Sequence, residues 1–234
     1  MIVMRRFLRQ YLVAFSLAEV LITLGIIGIV AAMTIPTLLF NYQERQTITK
    51  LKDTYSILSN AIKTAEEEEG EFSGFGIQTT EDGAKKVAQH LLPYMKLSLD
   101  CGTVDSNARC APKDTYLQLN GKQRIGYYLN SIYYKIVLLN GVHVYLTGPD
   151  LIESYRGKHN VLGIYVDVNG NRKPNQWGRD LFLFSYLDEG IGLVPTGHPE
   201  EKTYSYKRTC VNKTQEGIGC AYYVLNFNNM DYLK

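Results

Sequence analysis

The chain has a single tryptophan in 234 residues, and its four histidines form no recognisable chemical pattern. His90, His143, His159 and His198 stand apart, without H-x-x-x-H or H-E-x-x-H spacing, so a histidine-held catalytic metal lacks its signature. No G-x-S-x-G elbow and no phosphate-binding loop occurs, and nothing in the sequence supports catalysis. Cys101, Cys110, Cys210 and Cys220 include no C-x-x-C pair, which leaves zinc-ribbon and thioredoxin-type chemistry without their spacing. There is little excess of either charge: the net charge is +2, and Arg5, Arg6 and Arg9 alone contribute three positive charges. The rest of the chain is close to neutral, which argues against nucleic acid as a bulk-charge partner. Internal repeats and long disordered linkers are also missing.

What is present describes a folding chain. Hydrophobic residues make up 45% and charged residues 21%, ordinary values for a globular body. The length suits one domain plus an extra segment, or two small domains. Tyrosine is in excess, 18 against 8 phenylalanines, which fits half-buried β-strands and, as a sharper alternative, a surface for a partner. An even cysteine count outside the cytosol suggests two disulfides. Three pairings exist; Cys101–Cys110 and Cys210–Cys220 are favoured because each closes a short loop.

Val20 to Gln43 contains no charged residue. As a helix these residues extend about 36 Å at 1.5 Å per residue, enough for a hydrocarbon core of about 30 Å. A cleaved secretory signal would have a shorter apolar part followed by a small-residue cut site. Arginines before the run place the N-terminus in the cytoplasm and the body outside. Glu19 stands at the start of the run, where an ionised carboxylate needs a partner or the headgroup layer. No lysine or arginine occurs between Arg9 and Arg45. A cut just before Phe15 would create an α-amino group four residues from Glu19.

Ala14-Phe15-Ser16-Leu17-Ala18-Glu19, followed by the apolar run through Ala32, resembles the class III signal of type IV pilins and type II secretion pseudopilins. In that family a membrane aspartic peptidase cuts before an aromatic residue and methylates the new amine. The resemblance therefore implies a leader over residues 1–14, cleavage between Ala14 and Phe15, and N-methylation of Phe15. Ala14 stands where glycine is usual. Glu19 matches the family's assembly glutamate, and Gly28 and Pro36 match its glycine and proline. The resemblance implies a bacterial inner-membrane protein that enters a filament. Its implied partners are the prepilin peptidase, an assembly platform, membrane lipid and other pilin or pseudopilin subunits. Glu19 of an incoming subunit would then meet the Phe15 amine of one already assembled. Gly28 and Pro36 bracket a stretch where the helix is weakened.

Beyond residue 40 the helix pattern becomes amphipathic. Ile48, Leu51, Tyr55, Leu58, Ile62 and Ala65 form one apolar stripe, backed by Lys50, Lys52, Asp53 and Lys63. Glu66 to Glu69 reads as a solvated helix end, closing near Gly70. The divisions expected are thus a leader (1–14), a membrane or filament-core helix (15–40), its amphipathic continuation (41–69) and a globular body (70–234). In the body, Phe72 to Gly76 reads as a turn and Glu81 to Leu97 as a second helix, kinked at Pro93. Tyr116–Leu119, Ile125–Leu129, Tyr134–Leu139, Val142–Leu146, Leu162–Val168 and Leu181–Tyr186 read as strands, with a hairpin at Asn140-Gly141. The class is α+β: a long N-terminal helix packed on an antiparallel β-sheet, pilin-like.

Two stretches of the body resemble sites. Asp167, Asn169, Asn175 and Asp180 place oxygen donors along a tight loop, as calcium requires, although the spacing is not that of an EF-hand. The loop is similar to a D-x-N-G-x-x-x-P-N-x-x-G-x-D pattern of pilin-like proteins, and some pseudopilins hold calcium in their sheet region. No cofactor is required, and calcium is the one these residues can hold; Asp and Asn also build turns by bonding their own backbone. Lys202-Thr203-Tyr204-Ser205-Tyr206-Lys207-Arg208 combines cations with aromatics, as nucleic-acid binders do, but Glu200 and Glu201 adjoin it. The function expected is a structural pilin or pseudopilin subunit of a type IV pilus or type II secretion filament. The alternative is a minor pilin whose body is adhesive or binds DNA.

Overall fold

The computed structural model describes residues 16–122, 124–125, 128–149, 154–155, 158–187, 191–199 and 204–234. The leader and the Ala14–Phe15 cut site lie outside them. The chain divides into two units, one ending at Gln43 and the other running from Glu44 to Lys234. One helix, α1 (Leu17–Glu69), contributes to both. It has 53 residues, about 80 Å of rise, and carries Pro36 inside it.

Within the larger unit, α1 buries Ile48, Leu51, Thr54, Leu58, Ala61, Ile62 and Ala65. These recur every three or four residues, which is why one face of the helix can seat on a sheet. Leu51 and Leu58 are fully enclosed, each worth about 2 kcal/mol of burial. The helix stops after Glu69, and Gly70 follows in a left-handed conformation (φ 95°). A 3-10 turn covers Phe72–Phe75. Helix α2 (Glu81–Leu91) is capped by Thr80, whose side chain accepts from the Gly83 N–H at 3.1 Å.

The strands are β1 (Leu97–Gly102), β2 (Tyr116–Leu117), β3 (Arg124–Ile125), β4 (Tyr134–Leu138), β5 (His143–Thr147), β6 (Ser154–Tyr155), β7 (Lys158–Asp167), β8 (Leu181–Leu187) and β9 (Gly192–Pro195). The main sheet runs β1-β4-β5-β7-β8-β9 with antiparallel pairing throughout, and β6 pairs with β7. β2 and β3 form a separate two-stranded ladder. Asn140-Gly141 makes the expected hairpin between β4 and β5: Gly141 (φ 78°) donates to the Leu138 carbonyl at 2.9 Å. Two short helices follow, α3 (Tyr206–Thr209) and α4 (Cys220–Phe227).

Both faces of the sheet are covered. Ile136, Val144, Leu146, Ile164, Val166, Phe182 and Phe184 share a core with the α1 stripe. Their sequence neighbours Tyr145, Tyr165, Leu181 and Leu183 point into a second core with Tyr116, Tyr128 and Trp177. Strand alternation sends neighbours to opposite faces, so one strand serves two cores. The tyrosine excess is shared between the two cores, with Tyr186 and Tyr232 buried in the first and Tyr116, Tyr128, Tyr145 and Tyr165 in the second. Tyr128 stacks on Tyr145 with centroids 4.8 Å apart, and Tyr165 meets Trp177 edge-on at 5.7 Å.

Several expectations need correction. The second helix ends at Leu91 rather than Leu97, because Pro93 falls in a 3-10 turn (Leu92–Tyr94) and the chain then extends into β1. The glutamate run is not simply solvated. Glu66 accepts from the Tyr186 hydroxyl, Glu68 accepts from the Tyr94 hydroxyl at 2.7 Å, and Glu69 bonds the His90 ring. The helix end is thereby tied to β8, α2 and the turn that follows α2.

Candidate functional site

The N-terminal unit presents apolar side chains on every side. Leu21, Ile22, Ile26, Ile29, Met33 and Leu38 are all exposed, Met33 by 74%. This is one helix long and apolar enough to cross a membrane, with a mean hydropathy of 2.2 over its best window. An apolar surface of this extent calls for lipid or other helices around it.

Ser16 and Glu19 close the start of this helix. The Glu19 carboxylate accepts from the Ser16 N–H and from the Ser16 hydroxyl, both at 2.9 Å, and the Ser16 oxygen accepts from the Glu19 N–H at 3.2 Å. This is a reciprocal capping box, S-x-x-E. Ser16 and Glu19 stand three apart in the sequence, the spacing of such a box, but the absence of charge around Glu19 is the louder signal there. At Gly28 nothing beyond the helix's own backbone and its chain neighbours lies within 4 Å of where a Cβ would stand. The helix continues through Pro36, whose missing N–H leaves the Ala32 carbonyl without its usual helical donor. Just before it, the Thr34 hydroxyl donates back to the Val30 carbonyl at 2.9 Å.

In the body, the turn between β7 and β8 brings Asp167, Asn169, Asn175 and Asp180 together. Asp167 Oδ1 accepts from the Asn169 and Gly170 N–H groups at 3.1 and 2.9 Å, and its Oδ2 accepts from the Tyr116 hydroxyl. Asp180 Oδ1 accepts from the Gln176 N–H at 2.5 Å. Its Oδ2 accepts from the Asn175 N–H at 2.8 Å and from Asn169 Nδ2 at 3.1 Å. Both carboxyls are almost wholly enclosed. Burial, with the Asp180 charge second, pushes the Asp167 carboxyl well up, and burial raises that of Asp180 to about 6. Asn175 and Gly178 adopt left-handed backbone, at φ 50° and 70°, which asparagine and glycine tolerate best.

The turn is fastened to its surroundings. The Gly178 carbonyl accepts from the Tyr232 hydroxyl at 2.5 Å, and a Cβ at Gly178 would stand 2.5 Å from Cys220 Sγ. The sulfurs form Cys101–Cys110 and Cys210–Cys220 disulfides, as favoured from their spacing. Asp105 lies within ligand distance of the first pair, but disulfide sulfurs offer no thiolate to a metal.

Lys135 is a buried charge that the sequence does not announce. Its side chain is fully buried on β4, and its ammonium donates to the carbonyls of Thr103 (2.6 Å), Tyr133 (2.8 Å) and Asn130 (3.1 Å). A lysine inside an apolar run reads as an outward residue, so no local signal marks it.

Of the basic-aromatic stretch, Lys202 and Thr203 lie outside the described residues. The Tyr206 ring stacks on Tyr222 at 5.6 Å and meets Phe227 edge-on at 5.5 Å. Its aromatic surface is therefore partly used within the body. Lys207 and Arg208 are exposed.

The helix-on-sheet architecture is pilin-like. No protein-family model, curated protein or solved structure matches the chain.

Proposed function

We propose that this chain is a filament subunit of the type IV pilin and type II secretion pseudopilin class, held in a membrane before assembly by the first half of α1. The observation that carries the reading is the division of labour along one helix. Residues 17–43 expose apolar side chains all round, with Glu19 as their only charge, whereas residues 48–65 bury a stripe in the body. A soluble core helix would bury the first part, and a removable signal would not continue unbroken into the folded body.

In this reading the peptidase cuts between Ala14 and Phe15, and the Phe15 amine becomes the partner of Glu19 on a neighbouring subunit. The capping box supplies what Glu19 needs before that. Two donors from Ser16 satisfy the carboxylate while the subunit waits in lipid. Docking then brings the amine to a carboxylate already fixed at the helix start, and the apolar helices pack on one another.

The test is co-expression with a prepilin peptidase, followed by mass spectrometry of the N-terminus and recovery of sheared filaments. The expected product begins at N-methylated Phe15, and Glu19→Ala is processed normally but is lost from filaments. A mature chain that keeps residues 1–14, or Glu19→Ala entering filaments as well as the native chain, would overturn the reading.

A further inference from the structure

We propose that Asn212 is an N-glycosylation site, modified by transfer of an oligosaccharide from a polyprenyl diphosphate carrier to its side-chain amide nitrogen. The inference rests on the filament reading at one point, that the body lies on the non-cytoplasmic side of the membrane.

Asn212-Lys213-Thr214 has the acceptor pattern N-x-T, and no other asparagine in the chain is followed two places later by serine or threonine. Three residues match such a pattern readily by chance; their geometry is what makes them a site. All three are exposed, in a turn at the tip of the loop closed by Cys210–Cys220. Such acceptors belong on surface loops. The flanks of the loop are held by the body. Gly217 donates to the Thr209 carbonyl at 2.8 Å, while the Leu119 and Asn120 N–H groups donate to the Glu216 and Gln215 carbonyls at 2.8 and 2.9 Å. The tip alone meets solvent.

An amide nitrogen is a poor nucleophile, because its lone pair is delocalised onto the carbonyl. Asn212 Oδ1 accepts from the Thr214 N–H at 3.0 Å and from the Thr214 hydroxyl at 2.5 Å. Both donors of one residue therefore close an Asx-turn on that oxygen. They draw electron density towards it and make the Nδ2 protons more acidic. Serine or threonine can fill this role two residues on; alanine and valine lack the hydroxyl. Gln215 fixes the backbone of the turn separately. Its Oε1 accepts from the Val211 and Asn212 N–H groups, and its N–H donates to the Asn212 carbonyl at 3.3 Å. Among the described residues Asn212 Nδ2 has no hydrogen-bond partner, so the reacting atom is the one group of this side chain left open.

In the transfer, a bond forms between Nδ2 and the anomeric carbon of the first sugar. The bond from that carbon to the diphosphate oxygen breaks, and its electron pair leaves with the diphosphate. One Nδ2 proton passes to a base of the transferring enzyme, and nothing is oxidised or reduced. Carrier and subunit are held at the same membrane, which raises the effective concentration of one for the other.

The test is peptide mass spectrometry of the full chain purified from the cells that make it, as native protein and as variants. The expected peptide containing Asn212 is heavier by whole sugar residues, with fragments that place them on the asparagine. Asn212→Asp keeps the oxygen that builds the turn and loses the nitrogen; the modification should vanish while the Tm stays within a few degrees of native. Thr214→Val should lower occupancy by about 10-fold or more, the worth of one hydrogen bond, and Thr214→Ser should retain it. A bare Asn212 in the native chain, sugar persisting in Asn212→Asp, or full occupancy in Thr214→Val overturns the proposal. The N-terminal peptide of the same digest reports the filament reading separately. A chain that keeps residues 1–14 but carries sugar on Asn212 overturns that reading alone, and one that starts at N-methylated Phe15 with a bare Asn212 overturns this proposal alone.

Discussion

Lys135 and Glu19 are two charges held by hydrogen bonds of different kinds, the first buried in the body and the second at the exposed start of α1. Lys135 spends its three protons on three backbone carbonyls, which binds the segment around Thr103 and the turn at Asn130–Tyr133 to β4. Lys135→Met keeps the apolar stem and abandons those carbonyls. We expect a loss of about 2 kcal/mol or more in urea unfolding, with the far-ultraviolet spectrum retained. Glu19 is held by Ser16, so Ser16→Ala should lower its fitness for assembly while Ser16→Thr, which retains the hydroxyl, should not. The ratio of filament to membrane-bound subunit reads this directly. The two residues were not equally visible in the sequence. Glu19 stands out because nothing around it is charged, whereas Lys135 resembles any lysine on a strand until its carbonyl partners are seen.

Helix α1 was legible almost to its last residue because its burial repeats every three or four positions and Gly70 stops it. β5 and the hairpin before it were equally plain, since Asn140-Gly141 marks the turn between two apolar runs. β1 was not. Its six residues, Leu-Ser-Leu-Asp-Cys-Gly, lie at the edge of the sheet, half-buried or exposed with none enclosed, so they carry no inside-outside alternation to read. β9 is too short, and α3 and α4 depend on tertiary contacts that no local pattern announces. Of the turn between β7 and β8, the four residues Asp167, Asn169, Asn175 and Asp180 were visible as a spacing, but the hydrogen bonds that join them needed coordinates. Two predictions belong to this scale. Leu58→Ala removes a fully buried side chain from the α1 seam and should cost about 3 kcal/mol in chemical denaturation. Replacing Cys210 and Cys220 together by serine opens a loop closed across 10 positions and should cost about 2–3 kcal/mol. Reducing agent applied to the native protein provides the matching control.

For the whole molecule, exposure separates the chain into a part that needs an apolar environment and a part that has built its own. Ile29→Arg puts a charge near the middle of the first part. Its membrane insertion should become less favourable by about 3 kcal/mol, read as a fall in the fraction resisting carbonate extraction. The body should be unaffected by the same change, since Ile29 lies in the other unit. The two cores on either side of the sheet have a further consequence. Along β7 the odd and even residues belong to different chemical company: Ile164 and Val166 meet hydrocarbon, while Tyr165 meets hydroxyl-bearing rings. A slip of one position would exchange the two sets, delivering the Tyr165 phenol to the side of Ile164 and Val166 and taking its ring out of the cluster around Tyr128 and Trp177. The strand thus carries a parity check, and Tyr165 is the digit it tests.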